Sequence, residues 1–193
     1  VFGIGRRKGI AIIAPSLKLT ASQKLYFMLN IIYEAHRRTG DHDTYRLFFW
    51  EMVEGGKYHE TAMSESFLPI KEIFVRIIRD GIAAGEFEQT DPDLIVMFIM
   101  SFIDSYHVYR TVFRDSRLFQ EIFGKKDEGQ IFDFLVMNTM KCLSKPGAPL
   151  LVPDIPDDLE EFIRAISDNI QKTIEEGYTQ EVIMKIREFL LGD

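Results

Sequence analysis

The stretch IIRDGIAAGEFEQTDPDLIVMFIMSFIDSYHVY, residues 77–109, decides the fold. One apolar helix is predicted to end at Gly85, because a glycine there can adopt the left-handed conformation that closes a helix. A second helix is predicted to begin at Asp91-Pro92. Asp91 is a good N-cap, and Pro92 occupies the first helical position, where no N–H is needed. This second helix is apolar around most of its circumference, so we expect it to be buried on more than one side.

The rest of the chain has helical periodicity and no alternating strand pattern, which predicts an all-α fold. Thr20 and Gln23 fit a capping box at the start of the first helix. Gly81 lies inside a helix, where it costs about 1 kcal/mol relative to Ala, so we expect another backbone to approach closely there. The predicted helices cover about 20–38, 44–57, 68–84, 91–114, 115–124, 128–143, 157–176 and 179–191.

Composition excludes several classes of protein. The formal net charge of −7 argues against this chain alone holding nucleic acid by electrostatics. The single Cys142 excludes an internal disulfide and a multi-cysteine zinc site. No apolar run approaches the roughly 20 residues that span a bilayer, so we expect no membrane insertion and a cytoplasmic location.

Several segments, in order, resemble the ligand domain of the TetR family of transcriptional regulators. They are YRLFFWE (45–51), IRDGIAAGEF (78–87), the Asp91-Pro92 helix start, and the helix 131–143 followed by SKPG. The resemblance covers about 20–147. It implies a helical bundle of the TetR-like C-terminal type, which forms a homodimer through helices 91–114 and 128–143. It also implies a pocket for a small, mostly apolar effector between helices 44–57, 68–84 and 91–114, with no cofactor and no enzymatic activity.

Three segments are predicted on this basis. Residues 1–19 are a flexible N-terminal segment, 20–147 are the ligand-binding and dimerisation domain, and 148–193 are a proline-rich linker with an extra C-terminal helical hairpin. Members of the family begin with a three-helix DNA-binding head, and no helix-turn-helix pattern precedes Thr20. Since the chain starts with Val1, we expect it to be part of a longer product that contacts DNA only through a head outside this chain.

Candidate functional residues concentrate on the helix after Asp91. Ser101, Asp104 and His107 share one face of that apolar helix at helical spacing. Such polar groups either meet partners in a core or dimer interface, or line a ligand pocket. Aromatic and Met side chains are core residues by default, but they also line adaptable apolar pockets. The candidate ligand-binding residues are Phe49, Trp50, Phe74, Met97, Met100, Ser101, Asp104 and His107.

No catalytic and no metal-binding residue is predicted. The acidic and histidine residues at 34–43 lack the spacing of a metal site. The most consistent function is the effector-sensing and dimerisation domain of a TetR-like regulator, expected to be a repressor. Two alternatives remain: an all-α enzyme with Asp104 and His107 as acid and base, and a helical adaptor whose hairpin 157–191 binds a partner chain.

Overall fold

Seven α-helices and no strand make up the part of the chain that the computed structural model describes. The described residues are 18–39, 67–175 and 179–192 (the backbone alone for 39, 169–175 and 179), with Trp50, Val53, Glu54, Gly56, Glu60 and Ser64 between them. In chain order the helices are α1 (Ala21–Thr39), α2 (Leu68–Ala83), α3 (Pro92–Val112), α4 (Arg117–Ile122), α5 (Glu128–Leu143), α6 (Asp157–Glu175) and α7 (Thr179–Leu191). The all-α prediction is confirmed. The helix predicted over 44–57 and the N-terminal segment 1–17 lie outside the described residues, apart from the few single positions.

α1 is the central helix, since it contacts α2, α3, α5 and α6. It starts at the predicted capping box. The Thr20 N–H donates to Oε1 of Gln23 at 2.9 Å, and the Gln23 N–H donates to Oγ1 of Thr20 at 3.2 Å. Leu25, Met28 and Leu29 follow and are fully buried, so the apolar stripe of this helix forms the middle of the core.

The turn between α2 and α3 has the geometry predicted from Gly85. Gly85 lies at φ 73° and donates its N–H to the Ile82 carbonyl at 3.0 Å, while the Glu86 N–H donates to the Gly81 carbonyl at 2.9 Å. This is the Schellman pair of bonds that satisfies the last carbonyls of a helix. The Glu86 carboxylate then accepts the N–H groups of the first two residues of α1, each at 2.9 Å. The turn therefore also caps the start of α1, where negative charge is favourable.

Gly81 lets the ring of Phe87 lie directly on α2. A Cβ at Gly81 would lie 2.3 Å from the Phe87 ring and 2.9 Å from Cβ of Ala21. The close approach predicted at this glycine is present, but side chains make it instead of a second backbone. The reason is that the turn after Gly85 folds its phenylalanine back over the helix, where the ring is 2 % exposed.

α3 begins at the predicted N-cap. The Asp91 carboxylate accepts the N–H groups of Asp93 at 2.9 Å and Leu94 at 3.4 Å. A further capping box, formed by Asp127 and Gln130, starts α5. These caps fix where α3 and α5 begin, and so set the length of the surface that the two helices present.

α6 and α7 form the C-terminal hairpin and lie against the preceding helices, α6 on α1 and α7 on α2. Their buried residues join the same apolar cluster as those of α1, α2 and α3: Leu159, Phe162, Ile163, Ile166, Val182, Ile183, Ile186 and Leu190. The narrow apolar stripe of the hairpin is thus its contact face. Among the described helices, none combines the length and the apolar character needed to cross a bilayer.

Candidate functional site

The structure divides the predicted ligand-binding residues between the core and the surface. The buried ones are Phe74, Met100 and His107, and the exposed ones are Trp50, Met97 and Ser101. Asp104 is partly exposed, and Phe49 lies outside the described residues. α3 therefore turns Met100 and His107 inward, and Met97 and Ser101 outward.

His107 is fully buried among aromatic rings where α3 meets α1. Its ring centroid lies 5.5 Å from those of His36 and Tyr106 and 5.9 Å from that of Tyr33. Burial lowers the pKa of His107 to about 3, and the positive charges of His36 and Arg110 add to the effect. The imidazole is consequently neutral at neutral pH.

Asp104 pairs with His36 across the contact of α3 with α1. Its Oδ1 lies 3.3 Å from Nε2 of His36, and Nδ1 of the same ring lies 2.8 Å from the carbonyl of Ile32. The carboxylate is thus engaged by His36, and the neutral His107 is enclosed in the core, so this geometry does not assemble an acid–base pair of Asp104 with His107.

Glu128, at the start of α5, joins the same region. The hydroxyl of Tyr33 donates to Oε2 of Glu128 at 2.7 Å, and Nε of Arg110 lies 3.2 Å from Oε1. Burial, together with the charge of Glu128, raises the pKa of Tyr106 to about 12. One carboxylate therefore links α1, α3 and α5. We call Tyr33, His36, Asp104, His107, Arg110 and Glu128 the polar core cluster.

Four members of this cluster, Tyr33, His36, Arg110 and Glu128, were not predicted as site residues. His36 belongs to the region 34–43, in which no metal site was predicted, and Glu128 was predicted only as the start of a helix. Arg110 was not singled out, although a charged residue one turn after His107 on an otherwise apolar helix is itself a signal that a buried or partly buried partner lies nearby. Its partner Glu128 comes from a distant segment, which no local pattern identifies.

An exposed apolar surface lies on the outward faces of α3 and α5. Leu94 is 67 % exposed and Phe134 is 51 % exposed. The rings of Phe102 and Phe134 stack with centroids 5.6 Å apart, so the faces of the two helices are continuous. A contiguous exposed apolar patch of this kind marks an interaction site. We call this surface the outer apolar stripe; its members are Leu94, Met97, Phe98, Phe102, Phe134 and Met137.

One wall of the predicted effector pocket, the segment 44–57, lies outside the described residues except for Trp50, Val53, Glu54 and Gly56. Asp41, His42 and Asp43 also lie outside them. Within the described ranges, no group of three His, Cys, Asp or Glu side chains is arranged to hold a metal ion.

Residues 18–108 match the family model described as "Tetracyclin repressor-like, C-terminal domain". The match covers α1, α2 and most of α3, and so contains the turn at Gly85–Phe87 as well as Asp104 and His107. α4 to α7 lie beyond it. No curated protein and no solved structure matches the chain.

Proposed function

Residues 18–108 form a tetracyclin repressor-like C-terminal domain, and we propose that the chain is the effector-sensing and dimerisation part of a TetR-like transcriptional regulator. The observation that carries this proposal is the outer apolar stripe on α3 and α5. The regulator acts in the cytoplasm as a repressor, and it contacts DNA through a head outside this chain.

The outer apolar stripe has the size and composition of a two-fold interface. α3, with 21 residues, is about 30 Å long. With α5 beside it at a helix spacing of about 10 Å, the face covers roughly 600 Å² per chain, close to the roughly 800 Å² of a stable interface. Ser101 and Ser105 are exposed within this face, and small side chains there let two helices approach closely. An isologous contact buries the stripe of one chain against the same stripe of its twin.

The effector site is proposed on the opposite face of α3. Phe74, Met100 and His107 are buried on this inner side, and we propose that they supply an apolar wall with one neutral imidazole. Phe49 and Trp50 stay predictions from the sequence, because Phe49 lies outside the described residues and Trp50 is exposed. Asp104 stands at the edge of the same region. Since Met97 and Ser101 face outward, we assign them to the dimer contact. The ligand class is a mostly apolar molecule with one or two polar groups.

The two faces of α3 couple these activities. A ligand that binds one placement of α3 better than another shifts the population toward that placement. Because the same helix carries the outer apolar stripe, the two chains of the dimer then change their relative position. In the full regulator this alters the spacing of two DNA-reading heads, which must match successive major grooves.

The dimer is tested by sedimentation velocity of the chain at micromolar concentration. The wild type is expected to sediment with the mass of two chains. Phe98→Arg places an unpaired cation in the stripe of each copy and should weaken association at least about tenfold. Met184 is also exposed but lies on α7, so Met184→Arg is the matched control and should remain dimeric. A monomeric wild type, or equal effects of the two variants, overturns the dimer.

The effector site is tested with the emission of Trp50, the one tryptophan of the chain, during titration with the uncharged probe N-phenyl-1-naphthylamine. We expect a saturable change that Met100→Phe weakens at least about tenfold, because the larger ring fills the inner side of α3. Met140, equally buried but on α5, provides the control Met140→Phe, which should bind as the wild type does. The proposed site is rejected by a Trp50 signal that does not saturate, or by one that both variants leave unchanged.

A further inference from the structure

A cavity lies where the C-terminal hairpin meets α1, away from the inner side of α3. It has a volume of about 300 Å³. Three phenylalanine rings line it: Phe27 from α1, Phe162 from α6 and Phe189 from α7. Their centroids are 5.8, 5.4 and 4.8 Å apart, in stacked, tilted and edge-to-face arrangements. Ile166 and Ile186 complete the apolar lining.

The mouth of the cavity carries one cation and one anion from α7, Lys185 and Glu188. Nζ of Lys185 lies 2.8 Å from Oε1 of Glu181, so the positive charge is already balanced. Glu188 adds a further negative charge. An anionic ligand would therefore gain little at this mouth, and the electrostatics favour an uncharged one.

We propose that this cavity is a binding site for a compact, uncharged, apolar molecule, with a preference for an aromatic ring. A dry cavity of about 150 Å³ with a similar Leu, Ile and Phe lining is large enough for benzene, and ligand pockets start at about 300 Å³. The volume here thus suits one or two fused or linked rings. Phenylalanine rings in edge-to-face and tilted positions offer the geometry in which a further ring packs best.

The site is distinct from the proposed effector site. Of its lining residues only Phe27 belongs to the family-matched segment 18–108; the others come from the added hairpin. An occupant would lie between α1 and the hairpin, and so would strengthen the attachment of α6 and α7 to the domain. It would also contact α1, whose start is capped by Glu86 and whose residue His36 pairs with Asp104.

The experiment is a titration of the intact chain with toluene, observed through ¹³C-labelled isoleucine methyl groups in NMR. Ile166 and Ile186 line the cavity, while Ile99 and Ile103 lie in the core contributed by α3. We expect saturable shifts at the first pair and none at the second. Conservative Ile→Val substitutions assign the signals without altering the fold.

Variants locate the binding independently of the shifts. Ile166→Phe fills the cavity and should weaken toluene binding at least tenfold. Ile183 is buried on α7 but does not line the cavity, so Ile183→Phe disturbs the hairpin core to a similar degree and should leave binding intact. If Ile166→Phe fails to unfold cooperatively, Ile186→Phe takes its place. Shifts that increase linearly across many methyl groups, or saturable shifts confined to Ile99 and Ile103, overturn the proposal.

Discussion

Replacing Gly81 with alanine should destabilise the chain, although the same change in most helix interiors is favourable by about 1 kcal/mol. The reason is the ring of Phe87. The new methyl carbon would lie 2.3 Å from Cδ2 and 2.5 Å from Cε2 of that ring, and 2.9 Å from Cβ of Ala21. Carbon atoms in contact lie about 3.5–4.0 Å apart, so either the ring or the helix must move by more than about 1 Å.

Neither neighbour can move freely. Phe87 is 2 % exposed, and its N–H donates to the carbonyl of Gly81 at 3.1 Å. The preceding residue, Glu86, is bonded both to that carbonyl and to the start of α1. Overpacking of a core by one methyl group costs about 1–3 kcal/mol. Contacts as short as 2.3 Å place this change in the upper half of that range, at about 2–3 kcal/mol. After the helix-propensity gain of about 1 kcal/mol is subtracted, Gly81→Ala should lower the free energy of unfolding by about 1–2 kcal/mol.

Urea unfolding followed by circular dichroism measures this change, with all variants at one protein concentration because the proposed dimer would add a concentration-dependent contribution. Gly129→Ala is the control, since a Cβ there meets only Oδ1 of Asp127, at 3.3 Å. With little overpacking to offset the gain in helix propensity, its free energy of unfolding should stay unchanged or rise by up to about 1 kcal/mol. In a double-mutant cycle, Phe87→Leu should reduce the cost of Gly81→Ala by at least about 1 kcal/mol, because the smaller side chain leaves room for the new methyl group. A Gly81→Ala chain as stable as the wild type would refute the reasoning.

Three further predictions concern the same unfolding free energy. Glu86→Ala removes two bonds to the start of α1 and should cost about 2 kcal/mol, and Glu86→Gln about half of that. Equal losses for the two Glu86 variants would exclude a role for the charge. Glu121→Ala, which removes an exposed ion pair on α4, is the control and should change the free energy of unfolding by less than about 0.5 kcal/mol. Tyr33→Phe leaves the Glu128 carboxylate without its 2.7 Å hydroxyl donor and should cost about 1–2 kcal/mol, measured at neutral pH; no loss would contradict the bond. Finally, the pKa of His107 is lowered from 6.5 to about 3, so the unfolded chain takes up a proton in this window that the native chain does not. Stability should fall as the pH decreases from 6.5, by at most about 1.4 kcal/mol per pH unit, and His107→Phe should remove this part of the slope; an unchanged slope would contradict the assignment.

The helix ends were predictable because their chemistry is local. The bonds between Thr20 and Gln23, and those that Asp91 accepts, join groups at most three residues apart. The left-handed position of Gly85 likewise depends on the lack of a side chain at that residue. Such features can be recognised in any short window of sequence, and they set the bounds of the helices.

The long-range contacts were not predictable in the same way. The carboxylate that caps the start of α1 comes from Glu86, 65 residues along the chain. Asp104 pairs with His36 on α1, not with the nearby His107 on its own helix. Helical spacing identified Asp104 and His107 as unusual polar residues, but the side chain opposite each of them depends on how two helices pack.

The apolar circumference of α3 sets a further limit on prediction. Periodicity separates a buried face from an exposed face only where the two differ in polarity. On this helix both are apolar, so Met97 and Met100 look equivalent in the sequence, yet one is 49 % exposed and the other 6 %. Among the described residues of one chain nothing covers the exposed apolar side, and this is the physical reason to infer a second copy.

α1 links the surfaces of this chain. Its start is capped by the turn that leads into α3, and its last turns reach α3 again through His36 and Asp104. A displacement of α3 therefore cannot occur without straining bonds at both ends of α1, unless α1 moves with it. Because α1 also contacts α6, we infer that motion beginning at the proposed effector site would reach both the outer apolar stripe and the cavity under the hairpin. In the proposed regulator an occupant of either site would then change the affinity of the other, and this coupling must be reciprocal.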